Sequence, residues 1–391
     1  MNRSQLRGMF GDEDIVCSPL LSLSRNLDRI ASRRTMLVGG DQKPKTQIDA
    51  VLDALHWAHW DLPGDDPVTL VLGSGPKLHS VKETIALLMS GLRDRNLINF
   101  QIDLDPPDLS LPDIDRRSNV RLKDFRKRDQ AVLPEIGQLI SQKISDPSFQ
   151  WEKSLTQSVW SGRIDGLQVC LIDRNNRACL TVGKPGSNGA VSTARSRFHS
   201  IIGMYDFPIN DANMDAAVFW LQKLIQDRRS NEPGSLGATD LEHKLEARVR
   251  RGAVQIVVPN KDTALIPLQT QFPTFWSSTG RARYIDVLMY RGNVPIVLEL
   301  KVPEGAGQWQ YFREAVGQVA LYREFIRRAT GLYQWFAERN LDATQCRAAV
   351  AFPMMGSPKQ RKAALEHVQY LADLFDVDVI VLPDDWNAPD L

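Results

Sequence analysis

The sequence contains little cysteine, and its cysteines show no pairing pattern. Only Cys17, Cys170, Cys179 and Cys346 occur in 391 residues, and no two of them have C-x-x-C spacing. This spacing argues against a disulfide framework and against a zinc site. It also indicates a reducing compartment, because disulfides persist mainly in oxidising ones.

The sequence also lacks a long apolar run and an excess of charge of one sign. No run reaches transmembrane length, and the first residues, MNRSQLRGMFGDED, lack the apolar core of a signal peptide. We therefore expect a cytoplasmic protein that does not bind a membrane. The net charge is +1, so any basic surface must be local. The length is sufficient for two or three domains.

A hairpin is the most informative pattern in the sequence. Tyr284–Tyr290 is apolar except for Asp286, Arg291-Gly292-Asn293 is a turn signal, and Val294–Lys301 is a second apolar run. The two-residue period of a strand places Glu299 and Lys301 on the same face. Asp286 would lie beside them on the neighbouring strand.

These carboxylates suggest a site for a hard cation. Asp and Glu are seldom buried unless they are paired or bind a metal, and Mg²⁺ prefers one or two carboxylates with water and phosphate oxygens. Lys301 could orient the attacking water or stabilise charge on a phosphate. The alternative is a surface hairpin that carries an ordinary salt bridge between Glu299 and Lys301.

The pattern resembles the PD-(D/E)XK nuclease superfamily. The motif's Asp is Asp286, and its (D/E)-x-K is Glu299-Leu300-Lys301, while Ile285 replaces the motif's proline. A subset resembling the RecB nuclease adds Gln-x-x-x-Tyr on the next helix, and Gln318 and Tyr322 match it. The resemblance implies an enzyme that hydrolyses phosphodiester bonds with Mg²⁺ or Mn²⁺. These five residues would be catalytic, and the main-chain carbonyl of Leu300 would join the carboxylates as a metal ligand.

The family also has an acidic ligand on the helix before the hairpin. Thr239 and Glu242 form a capping-box pattern, with Leu241, Leu245 and Val249 as an apolar stripe. Because Glu242 would cap the helix, Glu246 is the better candidate ligand. The alternative, that both glutamates are solvated, stays open.

The N-terminal part predicts a parallel, Rossmann-like α/β unit. Strands at Thr35–Val38, Val68–Leu72 and Asn99–Leu104 alternate with helical patterns. The loops after the first two strands are rich in glycine and contain lysine, as a phosphate-binding loop requires. The candidate ligand-binding residues are Gly39, Gly40, Gly73, Ser74, Gly75 and Lys77. The sequence contains no complete G-x-G-x-x-G or Walker A motif, and ordinary turns remain the alternative.

The order of these two parts resembles CRISPR-associated proteins that join a CARF sensor domain to a PD-(D/E)XK nuclease. The resemblance rests on the layout and on Leu37-Val38-Gly39-Gly40 and Leu72–Lys77. It implies a cyclic oligonucleotide activator, a homodimer and a role in antiviral defence.

We therefore predict an α/β protein with an N-terminal Rossmann-like domain and a C-terminal PD-(D/E)XK-type nuclease domain. The predicted boundaries are 1–112 for a sensor-type domain, 113–235 for a middle region of unassigned role, and 236–391 for the nuclease domain. The substrate is a nucleic acid, with DNA preferred over RNA. The alternative is an inactive nuclease fold that binds DNA or a protein partner, with affinity supplied by the basic run Arg116–Arg128.

Overall fold

The protein is a mixed α/β structure, as the sequence predicts. The computed structural model describes residues 30–32, 35–38, 44–60, 67–72, 78–102, 109–115, 125–183, 192–230, 241–259, 261–276, 283–302, 308–354 and 356–387. None of the helices in these ranges is long and apolar enough to cross a membrane.

The described strands form three sheets. They are β1 (Ile30–Ser32), β2 (Thr35–Val38), β3 (Val68–Leu72), β4 (Ile98–Ile102), β5 (Phe149–Lys153), β6 (Trp160–Ile164), β7 (Leu167–Ile172), β8 (Ala178–Thr181), β9 (Asp206–Ile209), β10 (Ile266–Thr274), β11 (Arg283–Arg291), β12 (Val294–Leu300), β13 (Arg347–Pro353) and β14 (Val377–Leu382).

The α-helices connect or cover these sheets. In chain order they are α1 (Pro44–Trp60), α2 (Leu78–Ser90), α3 (Phe125–Asp129), α4 (Glu135–Lys143), α5 (Thr193–Ile202), α6 (Met214–Arg229), α7 (Leu241–Arg250), α8 (Gln308–Arg328), α9 (Tyr333–Ala337) and α10 (Pro358–Phe375).

Contacts divide the chain into two compact units. The first contains Met1–Val120 and Ile256–Asp384, and the second contains Arg121–Gln255 and Asp385–Leu391. The N-terminal α/β segment therefore shares a unit with most of the segment predicted as the nuclease domain. The boundaries at 112 and 235 were predicted from composition, which contains no information on such long-range contacts. They stay predictions.

The first unit contains two sheets. The N-terminal sheet has the order β1-β2-β3-β4, with β2, β3 and β4 parallel and β1 antiparallel to β2. Its parallel part agrees with the predicted α/β pattern, whereas the Rossmann assignment stays a prediction. The C-terminal sheet has the order β10-β11-β12-β13-β14, antiparallel from β10 to β12 and parallel from β12 to β14.

Helix α8 joins the two parts of this unit. It packs on β12 and β13 and also contacts α1, α2 and α10. Phe312 stacks on Phe352 of β13 with ring centroids 3.7 Å apart. Gly317 faces α1, where an added Cβ would lie 2.8 Å from a methyl carbon of Leu52. A larger residue at position 317 would therefore push α1 and α8 apart.

The second unit is built on a five-stranded antiparallel meander of β5 to β9. Its core consists of apolar side chains from the sheet together with α4, α5 and α6. Helix α7 adds ion pairs, since Arg250 lies 2.7 Å from Glu152 of β5 and Arg251 lies 2.8 Å from Asp165. These ion pairs attach the chain around α7 to the strands of the meander.

Candidate active site

The candidate site lies where the β11–β12 ladder ends. The two strands pair from Arg291 opposite Val294 to Val287 opposite Leu298. One further step in this register reaches Asp286 and Glu299, which therefore share a face of the sheet. Oδ2 of Asp286 accepts a hydrogen bond from the main-chain N–H of Leu300 at 2.9 Å. The Asp286 carboxylate thus bonds to a main-chain N–H of β12 at the end of the β11–β12 ladder.

Glu299 and Lys301 form an ion pair on the same strand face. Nζ of Lys301 lies 2.9 Å from Oε1 of Glu299, and their side chains are 12% and 3% exposed. The pair predicted by the alternative interpretation therefore exists, but it is buried and not on the surface. A buried ion pair usually adds little net stability, because desolvation offsets the Coulombic attraction. Stabilisation of the fold is therefore a weak explanation for a Glu299–Lys301 pair in this buried position.

Tyr322 of helix α8 lies near the same carboxylates. Tyr322 is buried. Burial, followed by the negative charges of Glu299 and Asp286, raises the pKa of the Tyr322 hydroxyl well above its ordinary value. Gln318, one helical turn earlier, forms a hydrogen bond with this hydroxyl. The structure therefore brings the strand residues and the helix residues together.

Two residues that were not predicted from the sequence also belong to this cluster. The Trp276 ring lies 5.8 Å from the Tyr322 ring, measured between centroids. The guanidinium carbon of Arg283 lies 5.3 Å from the centroid of the Trp276 ring. Its charge also acts on Tyr322, where it lowers the hydroxyl pKa against the larger effects of burial and the carboxylates. Arg283 is thus a cation beside the Trp276 and Tyr322 rings.

The sequence contains only a weak signal for these two residues. Trp276 follows β10 and could have been recognised as a large aromatic residue beside the hairpin. Strict alternation along β11 would place Arg283 on the face opposite Asp286, so the period of the strand argues against including it. Arg283 is the first residue of the strand, and at that position its long side chain reaches a neighbour that the alternation rule does not predict.

The donor set fits Mg²⁺ or Mn²⁺. Asp286 and Glu299 are hard oxygen donors, and the carbonyl of Leu300 is a third oxygen on the same segment. Within the described ranges no group of three or more His, Cys, Asp or Glu side chains is arranged to hold a metal. Mg²⁺ does not need such a group, because it keeps several waters and binds through one or two carboxylates.

Glu246, the fourth predicted metal ligand, lies in the second unit. It is on α7 and is buried, and its Oε2 lies 3.3 Å from Nδ1 of His243. Asp286 and Glu299 belong to the first unit. Its role as a ligand of the same metal stays a prediction.

The predicted ligand-binding residues Gly39, Gly40, Gly73, Ser74, Gly75 and Lys77 lie outside the described residues. So do Arg116–Asp124, the larger part of the basic run. The strands before the two loops are described, and their last residues, Val38 and Leu72, are paired in the parallel ladder. The strands β2 and β3 therefore end side by side at the same end of the N-terminal sheet.

No protein-family model matches the chain, and no curated protein matches it at a significant level.

Proposed function

We propose that the protein is a metal-dependent nuclease that hydrolyses phosphodiester bonds in nucleic acid. One arrangement carries the proposal: Asp286 and Glu299 stand opposite each other where the β11–β12 ladder ends, Lys301 lies 2.9 Å from Glu299, and the buried Tyr322 of α8 lies near both carboxylates. The strand pattern and the helix pattern were identified in separate parts of the sequence. Their convergence supports a single site more strongly than either pattern does alone.

The residues have complementary chemical roles in this proposal. Asp286, Glu299 and the carbonyl of Leu300 would hold the cation. Mg²⁺ would supply a Lewis acid for the phosphoryl oxygen and lower the pKa of a bound water. Lys301, already within the site, orients that water or stabilises the negative charge on the phosphate.

The remaining polar groups position the substrate. Tyr322 stays protonated because its pKa is raised, so its hydroxyl is a hydrogen-bond donor and not a base. Gln318 holds this hydroxyl in place. Arg283 has its guanidinium over Trp276 and supplies a planar fork for a phosphate oxygen.

The proposal includes control by a nucleotide bound at the N-terminal loops. The loop after β3 leads directly into α2, which begins at Leu78 and packs against α8. Helix α8 also bears Gln318 and Tyr322. A cyclic oligonucleotide at these loops would therefore contact a helix that packs against the site helix. A homodimer that binds one activator is part of the same proposal.

Cleavage by the purified full-length chain tests the function. Supercoiled plasmid DNA, linear single-stranded DNA and single-stranded RNA are incubated with Mg²⁺, Mn²⁺ or EDTA, each with and without a panel of cyclic oligonucleotides. We expect Mg²⁺- or Mn²⁺-dependent cleavage, with DNA cleaved faster than RNA. Binding of DNA without cleavage under every metal and activator condition would favour the inactive nuclease-fold module instead.

Asp286→Asn is the decisive variant, because it removes the charge and retains an oxygen that can accept the Leu300 N–H. We expect at least about a hundredfold loss of activity, about 2.7 kcal/mol of transition-state stabilisation. Asp342→Asn is the matched control, since Asp342 also accepts a main-chain N–H, that of Thr344, at 2.9 Å. Equal activities of the two variants would remove Asp286 from the site.

A further inference from the structure

A polar cavity lies in the first unit, where α2, α8 and α10 end. Its volume is about 470 Å³. Four arginines and two acidic residues line it: Arg93, Arg323, Arg327, Arg328, Glu324 and Asp376. The positive charges therefore exceed the negative charges by two. None of these residues belongs to the candidate active site.

Arg323 lines this cavity, and most of its guanidinium N–H groups bond to the protein itself. Its guanidinium donates to the carbonyls of Phe375 at 2.6 Å, Asp376 at 3.0 Å and Gly91 at 3.2 Å. A Cβ on Gly91 would lie 2.7 Å from Nη2 of Arg323. A side chain at position 91 would therefore require the Arg323 guanidinium to shift.

Arg327 and Arg328 share the carboxylate of Glu324 with Arg323. Glu324 is buried and accepts from Nε of Arg323 at 3.1 Å, and it lies 3.5 Å from Nη1 of Arg327 and 3.3 Å from Nη2 of Arg328. The Ser90 hydroxyl also lies 3.2 Å from it, but this hydroxyl has a shorter bond, 2.7 Å, to the carbonyl of Leu87. One carboxylate thus faces three guanidinium groups, two of them at long distances.

Arg327 and Arg328 differ in what else they bind. Nε of Arg327 donates to the carbonyl of Cys346 at 2.8 Å. Nε of Arg328 is buried and has no hydrogen-bond partner among the described residues. A buried donor without an acceptor is unfavourable. The Arg328 side chain as a whole is 38% exposed and lines the cavity, so its guanidinium also has donors that a ligand there can reach.

The rim of the cavity contains a further arginine. Arg93 follows α2, its side chain is 61% exposed, and its Nη2 lies 2.6 Å from Oδ1 of Asp376. This ion pair uses one of the five donors that a guanidinium group presents. Arg93 and Arg328 are thus the cavity arginines with the most donor capacity left for a ligand.

We propose that this cavity binds a phosphate monoester, either a free nucleotide or the 5′-phosphate at the end of a nucleic-acid strand. A phosphate monoester carries a charge close to −2 at neutral pH, which balances the excess of two positive charges. Guanidinium groups bind phosphate through paired, parallel hydrogen bonds. A backbone phosphodiester carries one charge and matches the cavity less well. The proposal does not depend on the nuclease function.

Calorimetry with the full-length protein in EDTA tests this site. The probes are inorganic phosphate, adenosine 5′-monophosphate, and one DNA oligonucleotide with either a 5′-phosphate or a 5′-hydroxyl. We expect binding of adenosine monophosphate or of the 5′-phosphorylated strand, and weaker binding at pH 5.5 than at pH 7.5 because the second phosphate pKa is about 6. Preference for the mononucleotide identifies a nucleotide site, and preference for the 5′-phosphorylated strand identifies a strand-end site.

Two arginine variants and a matched control make the result specific. Arg328→Gln and Arg93→Gln should each weaken binding about tenfold, the loss of one charge-assisted contact. Arg361→Gln should not change it, since Arg361 forms a comparable exposed ion pair, 3.1 Å from Asp384, outside the cavity. Arg93 is largely exposed, so Arg93→Gln remains a test if Arg328→Gln fails to fold. No binding of any phosphomonoester at millimolar concentration, equal binding by all variants, or equal affinity for the 5′-hydroxyl strand would overturn the proposal.

Discussion

The indole N–H of Trp276 donates a hydrogen bond to the hydroxyl of Thr84 at 3.3 Å. Thr84 is on α2, and its own hydroxyl donates to the carbonyl of Ser80 at 2.8 Å. Trp276 contacts Tyr322 on its other side. One buried aromatic residue therefore connects the helix that follows a predicted ligand-binding loop with the helix of the candidate active site.

This hydrogen bond should couple the stabilities of the two segments. Thr84→Val and Trp276→Phe each remove one partner and keep most of the volume. We expect each to lower the free energy of unfolding, and the double variant to lower it by about 1 kcal/mol less than the sum of the two. Urea unfolding of the four proteins measures this coupling. Strict additivity would show that the hydrogen bond does not link α2 to Trp276 energetically.

The buried ion pair gives a second prediction, which depends on the metal. Lys301→Met removes the ammonium group and leaves the Glu299 carboxylate without its charge partner in a buried position. We expect this variant to lose about 3 kcal/mol of stability at pH 7.5 and most of its cleavage activity. Millimolar Mg²⁺ should raise the thermal unfolding temperature of Lys301→Met more than that of the wild type, because the cation would offset the excess negative charge.

The double variant Glu299→Gln with Lys301→Met is the control for this prediction. It removes both charges, so it should recover most of the stability but none of the activity, and Mg²⁺ should no longer stabilise it specifically. If Mg²⁺ stabilised all of these proteins equally, Glu299 would not bind the metal, and Lys301 would serve only as its structural partner.

Much of the hairpin could be predicted from local sequence. The turn signal is correct: β11 ends at Arg291, β12 begins at Val294, and Gly292 adopts the positive φ of 60° that favours glycine. The predicted helix with Gln318 and Tyr322 is also present as α8. These features depend on residues close together in the chain, where turn chemistry and periodicity are informative.

Long-range packing could not be predicted in the same way. Nothing in the local pattern around Thr84 indicates that it accepts a hydrogen bond from Trp276, 192 residues away. The same holds for the ion pair between Asp53 of α1 and Arg313 of α8, both of which are buried. Such contacts depend on how the two sheets of the first unit pack around α8, and a single sequence contains no signal for that packing.

The state of Tyr322 gives a third prediction, about pH. Burial and the two nearby carboxylates raise its pKa, so the phenol stays neutral up to and beyond its ordinary value of about 10. Tyr322→Phe should therefore reduce the cleavage rate without changing the shape of the pH–rate profile between pH 6 and 10. An alkaline limb that disappears in Tyr322→Phe would mean that this hydroxyl ionises during the reaction.

Gln318 provides a fourth prediction on the same helix. Gln318→Ala removes the partner of the Tyr322 hydroxyl, and we expect roughly a tenfold loss in kcat/KM, the effect of about one hydrogen bond. Glu314→Ala, one turn earlier, is the matched control and should have a smaller effect. Steady-state cleavage of a labelled oligonucleotide measures both. Equal losses in the two variants would indicate that α8 affects activity only through the stability of the fold.

A histidine pair between α1 and α10 gives the last prediction, which concerns acid stability. Nε2 of His56 lies 2.7 Å from Nδ1 of His367, and His56 is buried. Burial, and then the neighbouring imidazole of His367, lowers the pKa of His56 to about 3. Below its ordinary pKa of about 6.5 the unfolded chain takes up a proton at His56, and the folded chain does not. Acid therefore favours unfolding, and His56 should account for about 2 kcal/mol of stability lost between pH 7.5 and pH 5.

Urea unfolding at these two pH values checks this prediction. In His56→Gln, which retains a polar side chain that can bond to His367, the loss of stability between pH 7.5 and pH 5 should be smaller than in the wild type by that amount. His199, which lies on α5 in the second unit with its ring beside Tyr205, supplies the control. His199→Gln should keep the wild-type dependence. If His56→Gln lost as much stability as the wild type, the folded protein would bind a proton at this pair, and α1 and α10 would remain packed around a charged imidazole.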